Sequence, residues 1–216
     1  SLSIKLAIAV GAGFFALFLV LALLSLRAVD QATTGILEER RVLTVEAAAS
    51  IDSFVEQAFY ELEKATTFAP FDPSASNLSA EMHMLAHAYG RIGSFALGVS
   101  FLDAGGRVVL SEPSEPSFLG ADLSLQPHIA EALRTGQRTV SAPYAERRTG
   151  KPTVALTIPI KNQQARIIGL LSGQIDAMNS PIGRTIEVAR HLGATGHAMV
   201  VDRQLMVLAS TEAHDL

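Results

Sequence analysis

The chain has 216 residues, with 17 Lys and Arg against 21 Asp and Glu and a formal charge of −4, and its isoelectric point lies near 5.8. That balance argues against a nucleic-acid-binding surface, which clusters Lys and Arg into a basic domain. There is no cysteine, so disulfides are excluded, but the compartment stays undecided because such chains occur on both sides of a membrane.

The first element is the uncharged run Leu6 to Leu26, LAIAVGAGFFALFLVLALLSL, about 21 residues where about 20 cross a bilayer core. It reads as a transmembrane helix within residues 1–28. A secretory signal peptide is the competing reading, with Lys5 as its basic flank and Ala22 or Ala28 near a cleavage site. The apolar stretch is longer than such a segment needs and runs straight into a helical pattern, which favours a retained anchor. Lys5 on one flank and Arg27, Arg40 and Arg41 on the other leave the orientation open.

Residues 29–69 read as a long stalk helix. From Val29 to Thr67 there is no proline and one glycine, Gly35, while Ile51, Val55, Ala58, Leu62 and Ala65 recur in steps of four and three. Glu46, Asp52, Glu56, Glu61 and Lys64 fall on the opposite, solvated face. Forty helical residues rise about 60 Å, more than packing on a small domain requires, so a homodimer contact along part of this helix is expected. The prolines of Ala69-Pro70-Phe71-Asp72-Pro73-Ser74 end it. A second helix is expected from near Asn77 or Ser79, either able to cap it, with Leu78, Met82, Leu85, Ala86 and Tyr89 on one face. On it His83 and His87 stand one turn apart, a spacing that can chelate a metal, but no acidic residue completes a zinc motif. No metal or cofactor is expected.

Phe95 to Leu102 and Arg107 to Ser111 are strand-like runs around the turn Asp103-Ala104-Gly105-Gly106. Turn chemistry then fills Glu112 to Ser124 and leads to a short helix from Pro127 to Thr135, stopped by Gly136. Three strands follow, Thr139 to Tyr144, Thr153 to Ile160 and Ile167 to Ile175, on short polar connections. Short links make antiparallel neighbours, so the expected class is α+β, a five-stranded antiparallel sheet with flanking helices. After a helix from Pro181 to Leu192, His197 to Val201 and Leu205 to Ser210 repeat the earlier strand, Asp, turn, strand design. Residues 179–216 therefore read as a connecting helix and the start of a second module that breaks off, with 70–178 as the first, complete one.

The order Phe118-Leu119-Gly120-Ala121-Asp122-Leu123-Ser124, Pro127-His128-Ile129-Ala130-Glu131-Ala132-Leu133, Gly136, Val140-Ser141, Gly150-Lys151-Pro152, Ile158-Pro159-Ile160 and Ile168 to Asp176 resembles the double Cache sensor domains of bacterial receptors. The resemblance implies a PAS-like, membrane-distal ligand module on a stalk, facing the periplasm or cell exterior from the cytoplasmic membrane from Arg27 onward. It implies a cytoplasmic output beyond a second span, for which a histidine kinase is favoured over a cyclase or chemoreceptor. It further implies a ligand site. In amino-acid-binding members an arginine, a tryptophan and a tyrosine hold the ligand carboxylate. Here the equivalent positions look like Gln126, His128 and Ile129, which lack the permanently charged clamp. Tyr144 and Asp176 do resemble the pattern. Gln126, His128, Tyr144 and Asp176 are accordingly the first-choice ligand residues, followed by Phe101, Ser111, Ser141 and Thr157. The expected partner is an amine or a neutral polar metabolite.

An enzyme is the reading of another class. The chain has no GxSxG, HExxH or P-loop motif, and Arg147, Arg148 and Lys151 sit at a hairpin tip rather than at a helix N-terminus. No catalytic residue is assigned. A dimerising scaffold that binds no small molecule is the third reading, distinguished by a sheet face filled with bulky side chains.

Overall fold

The computed structural model describes residues 2–67, 78–93, 96–147, 149–190, 199–201 and 207–210. Helix α1 runs over Leu2–Thr67, and the chain divides into two compact units, Ser1–Ala49 and Ser50–Leu216. In the first unit the described apolar side chains face solvent, with Phe14, Phe15, Leu17, Phe18, Leu24 and Leu26 each more than half exposed. Among the described residues, no helix is long and apolar enough to cross a membrane. The side chains of residues 2–10, 12 and 16, which include part of the expected span, lie outside the description, as do the proline break at 69–74 and the turn at 202–204.

In the second unit the expected seam of α1 is inward-facing. Ala58, Leu62 and Ala65 are buried, with Phe59 beside them, and Phe54 and Val55 pack against the same core. Glu61, expected on the wet face, is buried instead. The reason is a cross-helix ion pair: the Arg91 guanidinium donates to both of its carboxylate oxygens, and Gln57 Nε2 donates to Oε1 at 3.1 Å. The nearby cation holds the Glu61 carboxyl below its usual range.

Helix α2 (Ser79–Ile92) is capped at Leu78 with no side-chain cap bond, so the expected Ser79 cap is not used, and Asn77 lies outside the described residues. Its buried face is Glu81, Met84, Leu85 and Ala88. The expected face is thus rotated, and Met82 is 55% exposed. The helix turns this way to set Met84, Leu85 and Ala88 into the core that α1 lines.

The sheet contains β1 (Ala96–Asp103), β2 (Val108–Glu112), β3 (Thr139–Val140), β4 (Tyr144–Ala145), β5 (Pro152–Lys161) and β6 (Ile167–Asp176). Its order is β2-β1-β6-β5-β3, with β4 also on β5, and all pairs are antiparallel. The expected strand Thr139 to Tyr144 is two short strands. Pro143 has no amide to donate, and at the break Ala155 N–H donates to Ser141 Oγ at 2.8 Å while Ser141 N–H donates to Ala155 O at 2.8 Å. A hydroxyl thereby stands in for a ladder carbonyl.

Alternation divides this sheet into two faces. Val99, Phe101, Leu156, Ile158, Leu171 and Ile175 face α1 and α2 in one core. Phe101 lies directly over Gly169, where an added Cβ would sit 2.5 Å from the ring. The other face is apolar only at one end, where Leu102, Val108 and Leu170 meet Ile129 and Ala132 of α3 (Pro127–Thr135). Beyond Asp176, helix α4 (Pro181–Arg190) leads to β7 (Met199–Val201) and β8 (Val207–Ser210), an antiparallel pair of their own.

Candidate functional site

The second sheet face is not filled across its middle. A cavity of about 530 Å³ lies there, floored by Gly98 and Ser100 of β1, Ser111 of β2, and Ser172 and Gln174 of β6. Its roof is the segment 113–126, including Pro113, Phe118 and Ala121, and the start of α3, with His128 and Ile129. Tyr144 and the following Glu146 and Arg147 close one side.

The roof is positioned by local chemistry. Asp103 Oδ1 accepts from the amides of Gly105 and Arg107 at 2.8 and 2.9 Å, tightening the β1–β2 turn. At φ +82°, Gly106 approaches Ser124, so its N–H and C=O neighbours dock the segment against the hairpin: Leu123 N–H donates to Gly106 O at 2.9 Å. Asp122, bridged to Arg107 at 3.1 Å, is held ionised by hydrogen bonds from Ser124 and by that guanidinium.

Of the residues expected at a ligand site, Gln126, His128, Tyr144 and Ser111 line this one cavity. Gln126 is the N-cap residue of α3 and makes no side-chain cap bond. His128 is 7% exposed. Burial lowers its pKa to about 4, so the imidazole is neutral at pH 7. Among the described residues that imidazole has no hydrogen-bond partner. Burial likewise pushes Tyr144 up to about 12, against the lowering effect of the Gln174 side chain near its hydroxyl.

The other four lie elsewhere. Phe101 has the opposite parity and packs into the helix-side core. Ser141 is engaged at the β5 edge as described above. Thr157 is on the cavity-side face but fully buried, sharing a 2.9 Å hydrogen bond with Ser172. Asp176 follows Gln174 on that face and is 2% exposed, with Lys151 Nζ at 2.9 Å, Asn179 Nδ2 at 2.8 Å and the amides of Met178 and Asn179 at 3.1 and 3.0 Å. Burial would raise its pKa, but these donors outweigh that and keep it lowered. Tyr144 and Asp176 both pair with Thr153, from opposite sides.

Residues the sequence reading missed are Ser100, Ser172 and Gln174. Their signal was alternation: Ser100 lies between Val99 and Phe101, and Ser172 and Gln174 flank Gly173 between Leu171 and Ile175. His83 and His87 are both exposed, and no metal-holding group of three or more His, Asp or Glu occurs among the described residues. Among the described residues the His128 imidazole makes no hydrogen bond to the serine hydroxyls of the cavity, while Ser117 Oγ, also in its lining, donates to Glu115 Oε1 at 2.9 Å.

The chain matches the Cache domain family over residues 28–216. It belongs to that family, in its double Cache form. Similar solved structures include an extracellular ligand-binding receptor from Desulfohalobium retbaense, with a TM-score of 0.64, 19% identity, and coverage of 81% of this chain and 31% of that one. The ligand-binding domain of the Pseudomonas aeruginosa amino acid chemoreceptor PctC, solved with GABA, gives 0.58, 18%, 73% and 68%. The sensor domain of the Vibrio cholerae histidine kinase DctB gives 0.59, 17%, 85% and 69%. The chain thus spans about a third of the first of these and about two thirds of the others. No curated protein matches.

Proposed function

We propose that this chain is the extracytoplasmic, small-molecule-sensing part of a membrane receptor. The observation that carries the reading is the half-open sheet: helices cover one face completely, while the other keeps a cavity of about 530 Å³ lined by polar groups. That volume falls within the range of about 300–1,000 Å³ typical of small-ligand sites. The bulky side chains of a ligand-free scaffold are missing from the floor, where Gly98, Ser100 and Ser172 stand.

On this reading Gln126, His128, Tyr144 and Ser111 contact the ligand, and Asp176 stands next to the site. PctC was solved with GABA. Here the start of α3 presents Gln126 and His128 in place of a cation, and Arg147, the cation of the lining, stands exposed at one side among Glu112, Glu115, Asp122 and Glu146. The ligand is therefore an amine or a neutral polar metabolite. Residues 70–178 form the membrane-distal module, 179–216 begin a second, 29–69 form the stalk that pairs two copies, and the run Leu6–Leu26 is the membrane anchor. A histidine kinase is the favoured output, supported by the likeness to DctB, with a chemoreceptor the alternative supported by the likeness to PctC.

The test is a thermal-shift screen of the chain against amines, polyols, sugars, amino acids and carboxylates. The reading expects saturable stabilisation by some compound, lost when Ala121→Trp fills the cavity from its roof. Turnover of a stabilising compound, abolished by a substitution at Asp176, would instead point to an enzyme.

A further inference from the structure

Five strands contribute hydroxyls to a single rung of the cavity-side face. Ser111 pairs with Ser100, Ser100 with Ser172, Ser172 with Thr157, and Thr157 with Thr139. The two threonines are used internally: Thr157 shares its hydrogen bond with Ser172, and Thr139 Oγ1 donates to His128 O at 2.9 Å. The other half of the rung is left open. Ser100 is 5% exposed, lines the cavity and, among the described residues, its hydroxyl has no partner. The buried His128 imidazole is in the same position across the cavity. Ser111 Oγ accepts from Glu115 N–H at 3.2 Å and keeps its own proton to donate.

We propose that Ser100, Ser111 and Ser172, with His128 opposite them, form the recognition floor for an uncharged, hydroxyl-rich small molecule, a polyol or sugar. This rests on the sensor reading and narrows its ligand class. Each floor group both donates and accepts, as a neutral imidazole does through its two nitrogens, and alcohols are the ligand groups that answer in both directions. None of these four groups is charged at neutral pH. An ammonium or carboxylate seated on them would lose its hydration without a counter-charge. The charged groups of the cavity stand at its rim rather than on this floor: Asp122 is ion-paired with Arg107, Glu115 and Glu146 accept from the neutral hydroxyls of Ser117 and Thr149, and Arg147 is exposed. Glu112 pairs with Val99, whose side chain points to the helix side, so its parity is wrong for the floor.

The experiment is calorimetric titration of the full 216-residue chain with sorbitol, myo-inositol and glucose, with putrescine and choline, and with succinate and L-alanine. The expected result is saturable binding of at least one uncharged probe below about 10 mM, far under the concentrations at which sugars stabilise proteins by exclusion. Ser100→Ala should weaken it about three- to tenfold, the range of one hydrogen bond, and leave the unliganded melting temperature unchanged because the Ser100 hydroxyl has no partner among the described residues. Binding confined to amines or carboxylates would overturn this inference and leave the sensor reading standing. Polyol binding indifferent to Ser100→Ala would overturn the assigned floor. Silence from every probe would overturn the inference and count against the sensor reading too.

Discussion

Asp176 is a buried carboxylate with four donors, and its role in stability is separable from any contact with a ligand. Asp176→Ala removes all four bonds and leaves the Asn179 amide unanswered, which should cost about 2–4 kcal/mol, measured by urea unfolding at pH 7. Lys151→Met should cost less than about 1 kcal/mol, because that ammonium is half in water. The folded pKa of Asp176 is depressed, so its contribution is complete above its ordinary value near 3.8 and disappears as pH falls through the lower folded value. His128 acts over a different window. Its folded pKa, about 4, lies below the ordinary 6.5, so the unfolded chain binds that proton more tightly. Stability should be flat above pH 6.5 and decline from there towards pH 4. His128→Gln should flatten that decline in unfolding midpoints taken across the range.

At the scale of the elements, local signals were legible and long-range ones were not. Pro127 at the first turn and Gly136 after the last placed α3 at Pro127–Thr135, because both residues act through their own backbone. The β1–β2 turn was equally plain from Asp103 to Gly106. By contrast, β1 pairs with β6 some seventy residues later, and nothing local to Phe101 tells which side of the sheet the cavity takes. Phe101 and Ser100 are one residue apart on β1, and one residue reverses the face. Glu61 departs from its helical periodicity for a related reason: its burial depends on Arg91 in another helix. The close approach of β6 to Phe101 gives a sharp test of register. Gly169→Ala would place a methyl 2.5 Å from the ring and 2.6 Å from Leu102 O, so it should destabilise the sheet by about 3 kcal/mol, read from chemical denaturation.

Across the second unit, two polar links tie the sensing sheet to helix α1. Arg91 of α2 holds Glu61, and Arg138, just after α3, donates to Glu56 Oε1 at 2.7 Å with its guanidinium 4.8 Å over the Phe59 ring. A ligand that draws the roof and α3 towards the floor would shift Arg138, and with it the part of α1 that carries Glu56 and Phe59. Binding moves such an equilibrium only by its differential affinity for the two arrangements. The chain has no cysteine, so Val45→Cys, at an exposed helix position, would report the proposed pairing of two copies through a disulfide. Its disulfide yield should change on adding a stabilising ligand. Arg138→Ala should abolish that change while weakening ligand affinity less than about threefold, since an exposed ion pair contributes little to the site itself. An identical yield with and without saturating ligand in the parent would remove the stalk from the pathway.

The claim beneath all of these is that a small molecule sits on the open sheet face. A crystal structure of the chain with the compound that stabilises it most tests this directly. The account predicts density over Ser100 and Ser172, with His128 and Tyr144 within hydrogen-bonding distance; a compound bound elsewhere, with this cavity holding only water, would contradict it.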